Sequence, residues 1–180
     1  MNVYHPTSYK IKKGEKFIFD ANVWIKMMPS FQNLTNNNHS AEYSKLLQEI
    51  LDNECKIGIL NIEISEIFNV FIREQSRAFL QSKGRWATFK KHYRPSAQFE
   101  TDKNLILNEI ENLIFNIGEK INDCFESIET EKILDTSRSD YDFNDNYMYR
   151  FCEKNGYTFV THDKDYNNFS DLNVNVISVI

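Results

Sequence analysis

Four short runs rich in β-branched and aromatic residues, at 16–20, 56–61, 158–161 and 174–179, are separated by segments with helical spacing. Strands interrupted by helices must be joined by crossovers, and crossovers make a parallel sheet with helices on its faces. The helical segments have their own signatures. Ser40 can cap a helix that turns Tyr43, Leu46, Leu47, Ile50 and Leu51 to one side, and Asn61 can cap the next, with Ile67, Val70 and Phe71 inward. The longest periodic stripe, Ile106, Ile110, Leu113, Ile117, Ile121, Phe125 and Ile128, predicts one amphipathic helix whose apolar face meets the core. A last helix is expected over residues 143–154, carrying Met148, Phe151 and Cys152 and stopped by Gly156. Residues 29–39 read as a long turn-rich loop. The expectation is a three-layer α/β/α fold around a parallel sheet of four or more strands, one domain over residues 1–180 that includes an extended helical region at 73–139.

With 180 residues and 41% apolar content, one such domain can bury a sizeable core without covalent staples. Cys55, Cys124 and Cys152 have no CxxC spacing, so reduced thiols and a cytoplasmic location are expected. No signal peptide and no bilayer-length apolar stretch is evident, so no membrane role is expected. The net charge of −5 excludes an enveloping basic surface but not a local one. Residues 73–94 hold seven Lys and Arg against the single acid Glu74, leaving −11 elsewhere. Within that segment Trp86, Phe89 and Tyr93 recur at helical spacing. They are read either as core residues under a solvated charged face or as stacking rings beside cations for phosphate, among them Arg85, Lys90, Lys91 and Arg94.

In open α/β sheets ligands bind beyond the carboxyl ends of the strands, and that is where the acids fall. Asp20 ends FIFD and Asp163 follows TFVTH, while Glu63 and Glu66 lie in the first turns after the second strand and Asp142 and Asp145 at the start of the last helix. Singly, each has a structural explanation as a helix-start or turn residue. Asp20 is the hardest to explain that way, because it directly follows Phe17, Ile18 and Phe19, where an unpaired carboxylate is costly. Several acids at one sheet edge repel each other unless a cation sits among them, and oxygen-only donors select hard ions such as Mg²⁺ or Mn²⁺. Zinc is disfavoured because no Cys or His has ligand spacing. His162 is either a strand-end residue or a substrate contact.

These segments resemble the PIN domain family (PilT N-terminus type), the nuclease fold that includes VapC-type toxins of bacterial toxin–antitoxin pairs. FIFDANVWI resembles the family's first strand and acid, with Asp20 and, two residues on, Asn22. In NIEISEIFNVF, Asn61 stands at the cap position and Glu66 at the glutamate five residues later. In DNYMYRFCEKNGYTFVTHDKDY, Asp145 precedes Gly156 by eleven residues and the chain runs on to Thr161, His162, Asp163 and Asp165. The likeness spans roughly residues 16–72 and 140–180. It implies a metal-dependent endoribonuclease that hydrolyses single-stranded RNA, with Asp20, Glu66, Asp145 and Asp163 as catalytic ligands of Mg²⁺ or Mn²⁺. Asn22 and Thr161 would orient ligands or water, and Asp142 and Asp165 are either ligands through water or solvated acids. The partners it admits are an antitoxin protein and a second copy of the chain; the alternative is an RNA-binding or scaffold module with little or no nuclease activity. A haloacid-dehalogenase-like phosphatase would need an acid where Asn22 stands, and a receiver domain would need a second acid near Asp20.

Overall fold

The computed structural model describes residues 1–32, 39–134, 143–169 and 172–180. Part of the 29–39 loop and Asp142 lie outside the described residues; of that loop, Pro29–Phe31 forms a single 3₁₀ turn.

Six parallel strands make one sheet: β1 (Asn2–Tyr4), β2 (Lys16–Phe19), β3 (Lys56–Ile59), β4 (Glu119–Lys120), β5 (Thr158–Val160) and β6 (Asn175–Ile177), in spatial order β1-β6-β5-β2-β3-β4. The helices are α1 (Ala21–Met27), α2 (Ser40–Asp52), α3 (Asn61–Lys83), α4 (Ala97–Glu109), α5 (Thr130–Ile133) and α6 (Phe143–Asn155). Because successive strand residues face opposite sides, β2 sends Phe17 and Phe19 into one core and Ile18 into the other. The first core takes Trp24 of α1, Leu46 of α2, Phe71 of α3 and Ile106 of α4; the second takes Ile133 of α5 and Phe151 and Cys152 of α6. Two cores on two faces of one sheet give the three-layer α/β/α, PIN-like arrangement.

From β2 the chain moves outward to β3 and β4, then returns to lay β5 on the other side of β2. The strand order reverses between β2 and β5, and the crevice above that reversal is where such sheets bind ligands. Register sets the depth of the crevice: Phe19 pairs with Val160, so Asp20 and Thr161 emerge side by side.

Several local expectations need correction. Helix α2 starts at Ser40 itself, with His39 in the left-handed region (φ 74) as its flanking residue. The residue flanking α3 is Leu60, so Asn61 is its first helical residue and not its cap. The stripe from Ile106 to Ile128 is not one helix. Helix α4 ends at Glu109, a wider π-type turn over Ile110–Phe115 follows, and the chain then joins the sheet edge as β4. Ile110 and Ile114 are buried through that turn, whereas Phe125 is left exposed. Gly118 explains the break. A Cβ there would stand 2.6 Å from Ile59 Cδ1 and 3.1 Å from the Ile57 carbonyl oxygen, so only glycine lets the backbone approach β3 this closely. Gly118→Ala should cost about 1–3 kcal/mol through overpacking, and a urea melt showing an unchanged midpoint would refute this account.

The three cysteines are free thiols, with Cys152 fully buried. Among the described residues, no helix is long and apolar enough to cross a membrane.

Candidate active site

Asp20 occupies the residue between β2 and α1, where its backbone N–H bonds Val160 O at 2.8 Å and its carbonyl accepts the first α1 bonds. Two side chains fix its carboxylate. The Thr161 hydroxyl donates to Oδ2 at 2.8 Å and the Asn22 amide donates to the same oxygen at 2.7 Å. Each partner is held in turn: Thr161 Oγ1 accepts the Asp163 N–H at 3.1 Å, and Asn22 Oδ1 accepts the His162 N–H at 2.9 Å. One network therefore ties the ends of β2 and β5 together, and each member limits the rotation of the next. Although Asp20 keeps partial solvent contact, desolvation outweighs the Thr161 hydrogen bond and, with the charge of Glu66, raises its pKa to about 7.

Glu63 is the acid that sequence reasoning passed over. Because α3 begins one residue after Leu60, Glu63 sits in the first turn and folds back, its Oε2 accepting the Leu60 N–H at 2.6 Å. It is 2% exposed, and its Oε1 is buried with no hydrogen-bond partner. Burial, followed by the charges of Asp20 and Glu66, holds its pKa well above the ordinary carboxylate range. A buried, orphaned carboxylate oxygen beside another acid needs either a proton or a cation. Glu66, one turn later, is exposed, and its charge still acts on both Asp20 and Glu63. The signal available in the sequence was the position of Glu63 three residues after Leu60; it required knowing where the helix starts.

Asp145 lies in the first turn of α6, partly buried, and Asp163 follows β5 on an exposed turn where its Oδ1 accepts the Asp165 N–H at 3.2 Å. Burial, with the charges of Asp20, Asp145 and Asp163, raises the hydroxyl pKa of the buried Tyr149 on α6. Asp165 is partly buried at the start of a 3₁₀ turn. His162 is partly buried, with Nδ1 2.9 Å from the Tyr43 hydroxyl, which also donates to Thr161 O at 2.9 Å. Desolvation and the charges of Lys26 and His39 lower its pKa to about 4, so the ring is neutral at pH 7.

Among the described residues, no three His, Cys, Asp or Glu side chains stand close enough to share an ion. Asp20, Glu63, Glu66, Asp145 and Asp163 thus meet through their fields and not in a preformed cage. Their chemistry fits a hard divalent cation: all donors are carboxylate oxygens, and one of them is buried without a partner. Capture would require the exposed Glu66 and Asp163 to swing inward.

The basic segment lies elsewhere. Helix α3 ends at Lys83, roughly 25 Å along its axis from Glu66, and Arg85, Lys90, Lys91 and Arg94 are exposed in the segment that follows, which packs back on α3 through Tyr93 and Phe79. Its rings divide: Tyr93 is fully buried and donates to Asp102 at 2.7 Å, Phe89 is partly buried, and Trp86 is 67% exposed with an edge contact to His92.

No protein-family model matches the chain, and no curated protein matches it in sequence. Among solved structures, it is similar to a chain in the crystal structure of VapBC2 from Rickettsia felis bound to a DNA fragment from their promoter. The TM-score is 0.55 and the identity 15%, covering 90% of this chain and 98% of that chain. This likeness establishes the shared three-layer fold.

Proposed function

We propose that the chain is a Mg²⁺- or Mn²⁺-dependent endoribonuclease that cleaves single-stranded RNA by phosphodiester hydrolysis. The observation that carries this reading is the pairing of Asp20 with the orphaned, buried Glu63 at the strand-order reversal, an excess of carboxylate that a divalent cation would neutralise. Asp20, Glu66, Asp145 and Asp163, joined by the buried Glu63, would hold the cation. Bound there, it would lower the pKa of a water and offset charge on the phosphate. The residues of the chain do the rest. Thr161 and Asn22 fix the plane of the Asp20 carboxylate, and neutral His162, locked by Tyr43, keeps β5's end from shifting. Arg85, Lys90, Lys91 and Arg94, exposed in the segment after α3, would engage phosphates of the RNA further along the strand. The fold shared with a chain of VapBC2, a complex bound to its promoter DNA, supports a role as the toxin of a toxin–antitoxin pair, with an antitoxin as partner.

The test is cleavage of a labelled unstructured RNA with Mn²⁺, with Mg²⁺ and with EDTA. Multiple-turnover cleavage that requires either ion is expected. Equal rates in EDTA would remove the metal chemistry, and no cleavage under any condition would leave an RNA-binding or scaffold module.

A further inference from the structure

A groove of about 630 Å³ opens beside the carboxylates, between the first half of α3, the 123–125 turn and the start of α6, and Glu66 forms part of its wall. That volume lies within the roughly 300–1,000 Å³ common for ligand sites. Two large aromatic side chains stand exposed on it: Phe125, 48% accessible, and Phe143, 43% accessible. Phe125 is presented by a 3₁₀ turn entered through Cys124 in the left-handed region (φ 50), and its ring is braced by Tyr147 at 6.0 Å between centroids. Phe143 is the first residue of α6, two before Asp145. The rest of the lining is mixed, with the apolar Ile62 and Val70, the amides of Asn69 and Asn144, the carboxylates of Glu66 and Asp123, and the guanidinium of Arg73, which among the described residues is in no ion pair.

We propose that this groove seats an unpaired base of single-stranded RNA next to the bond to be cut, a specificity site that rests on the ribonuclease reading. A base offers an apolar π-face and a hydrogen-bonding edge, and the groove supplies exposed aromatic faces and amides for each. Arg73, the cation among the described residues that line the groove, would meet an adjoining phosphate. A helical peptide would call for a continuous apolar stripe, which the intervening Asn and Arg side chains interrupt. The position of Glu66 on the groove wall and of Asp145 just beyond Phe143 puts a base held here within about one nucleotide of the carboxylate edge.

The experiment measures binding of a labelled six-nucleotide RNA, in Ca²⁺ and in EDTA, against the same oligomer carrying abasic central positions. Wild type should prefer the intact RNA about ten-fold or more, and Phe125→Ala with Phe143→Ala should lose that preference, because one stacked base accounts for about that factor. Phe125→Trp with Phe143→Trp should restore it. The rise in melting temperature caused by Mn²⁺ should be the same in all three proteins. Equal binding of intact and abasic RNA by wild type, or an unchanged preference in the double alanine variant, overturns the base site and leaves the groove to a protein partner. Cleavage by wild type with no effect of the alanines would sink the groove alone. Phe-dependent base preference without Mn²⁺-dependent cleavage would sink the ribonuclease reading alone.

Discussion

Asp20→Asn is expected to slow RNA cleavage by roughly 10²- to 10³-fold, the range for removing one preorganised charge-stabilising group, while the protein stays folded. The amide oxygen of asparagine can still accept from the Thr161 hydroxyl and the Asn22 amide, so the network joining β2 to β5 survives the change. What disappears is the charge. Asparagine offers a hard cation only a neutral carbonyl in place of a carboxylate, and the crevice loses the ligand that stands at the strand-order reversal. Initial rates at saturating Mn²⁺, together with a far-ultraviolet circular dichroism spectrum, separate lost chemistry from lost structure. Wild-type cleavage by a folded Asp20→Asn protein would show that the crevice between β2 and β5 is not the catalytic centre. Loss of fold would instead mean that the Asp20 network carries more structural weight than its two side-chain hydrogen bonds indicate.

Why Asp20 stood out in the sequence, while Glu63 was placed at the same edge but not singled out as a ligand, follows from how each is positioned. Strand β2 is buried on both faces, so Phe17, Ile18 and Phe19 form an unbroken apolar run, and the acid that ends it is conspicuous. The same logic exposed β3, β5 and β6. The edge strands carry no such run: β1 opens with exposed Asn2 and Val3, and β4 is only Glu119 and Lys120, charged residues suited to an unprotected edge. Recognising Glu63 depends on where α3 starts: with Leu60 as the flanking residue Glu63 stands at the third helical position and folds back, whereas a start one residue later would put Ile64 there. The stripe from Ile106 to Ile128 misled for a related reason. Its spacing continues across Gly118, but the close approach of that residue to β3 is a tertiary fact that no periodicity encodes. In the 73–94 segment the rings split between core and surface because Tyr93 finds a buried carboxylate partner in Asp102, whereas Trp86 lies on the exposed turn before it.

Asp20 should make the metal-free wild-type protein lose stability relative to Asp20→Asn as pH rises from about 4 to about 7, and a divalent ion should reverse that loss. The sign follows from Asp20, whose pKa is near 7 in the folded chain against an ordinary 3.8, chiefly because burial penalises its charge. Below pH 4 both states hold the proton and Asp20 contributes nothing to the pH dependence. Between 4 and 7 the unfolded chain ionises first, so unfolding gains, and above 7 both states are ionised and the profile flattens. Discounted for the solvent contact that Asp20 retains, the loss is on the order of 2–4 kcal/mol, or on the order of 10 °C in melting temperature for a chain of this size. Glu63, also raised, acts in the same direction. Glu42 and Glu129, lowered mainly by hydrogen bonds, act in the opposite direction but are solvent-screened and weak. His162 opposes Asp20 more strongly: its pKa falls from 6.5 to about 4 on folding, so the unfolded chain alone takes up that proton between pH 6.5 and 4, and the Asp20 contribution is read as the difference between wild type and Asp20→Asn. If, as proposed, Mn²⁺ is held by the ionised carboxylates of the folded chain, its stabilising effect should be small at pH 5 and largest above pH 7. Asp20→Asn should remove the Asp20 share of the slope in EDTA and shrink the response to Mn²⁺ together, because one group is the source of both. Melts of both proteins from pH 4 to 8, with EDTA and with Mn²⁺, test this directly. A pH slope in EDTA that is the same in wild type and Asp20→Asn would mean that Asp20 already has compensating partners, and the electrostatic case for a cation beside it would fail.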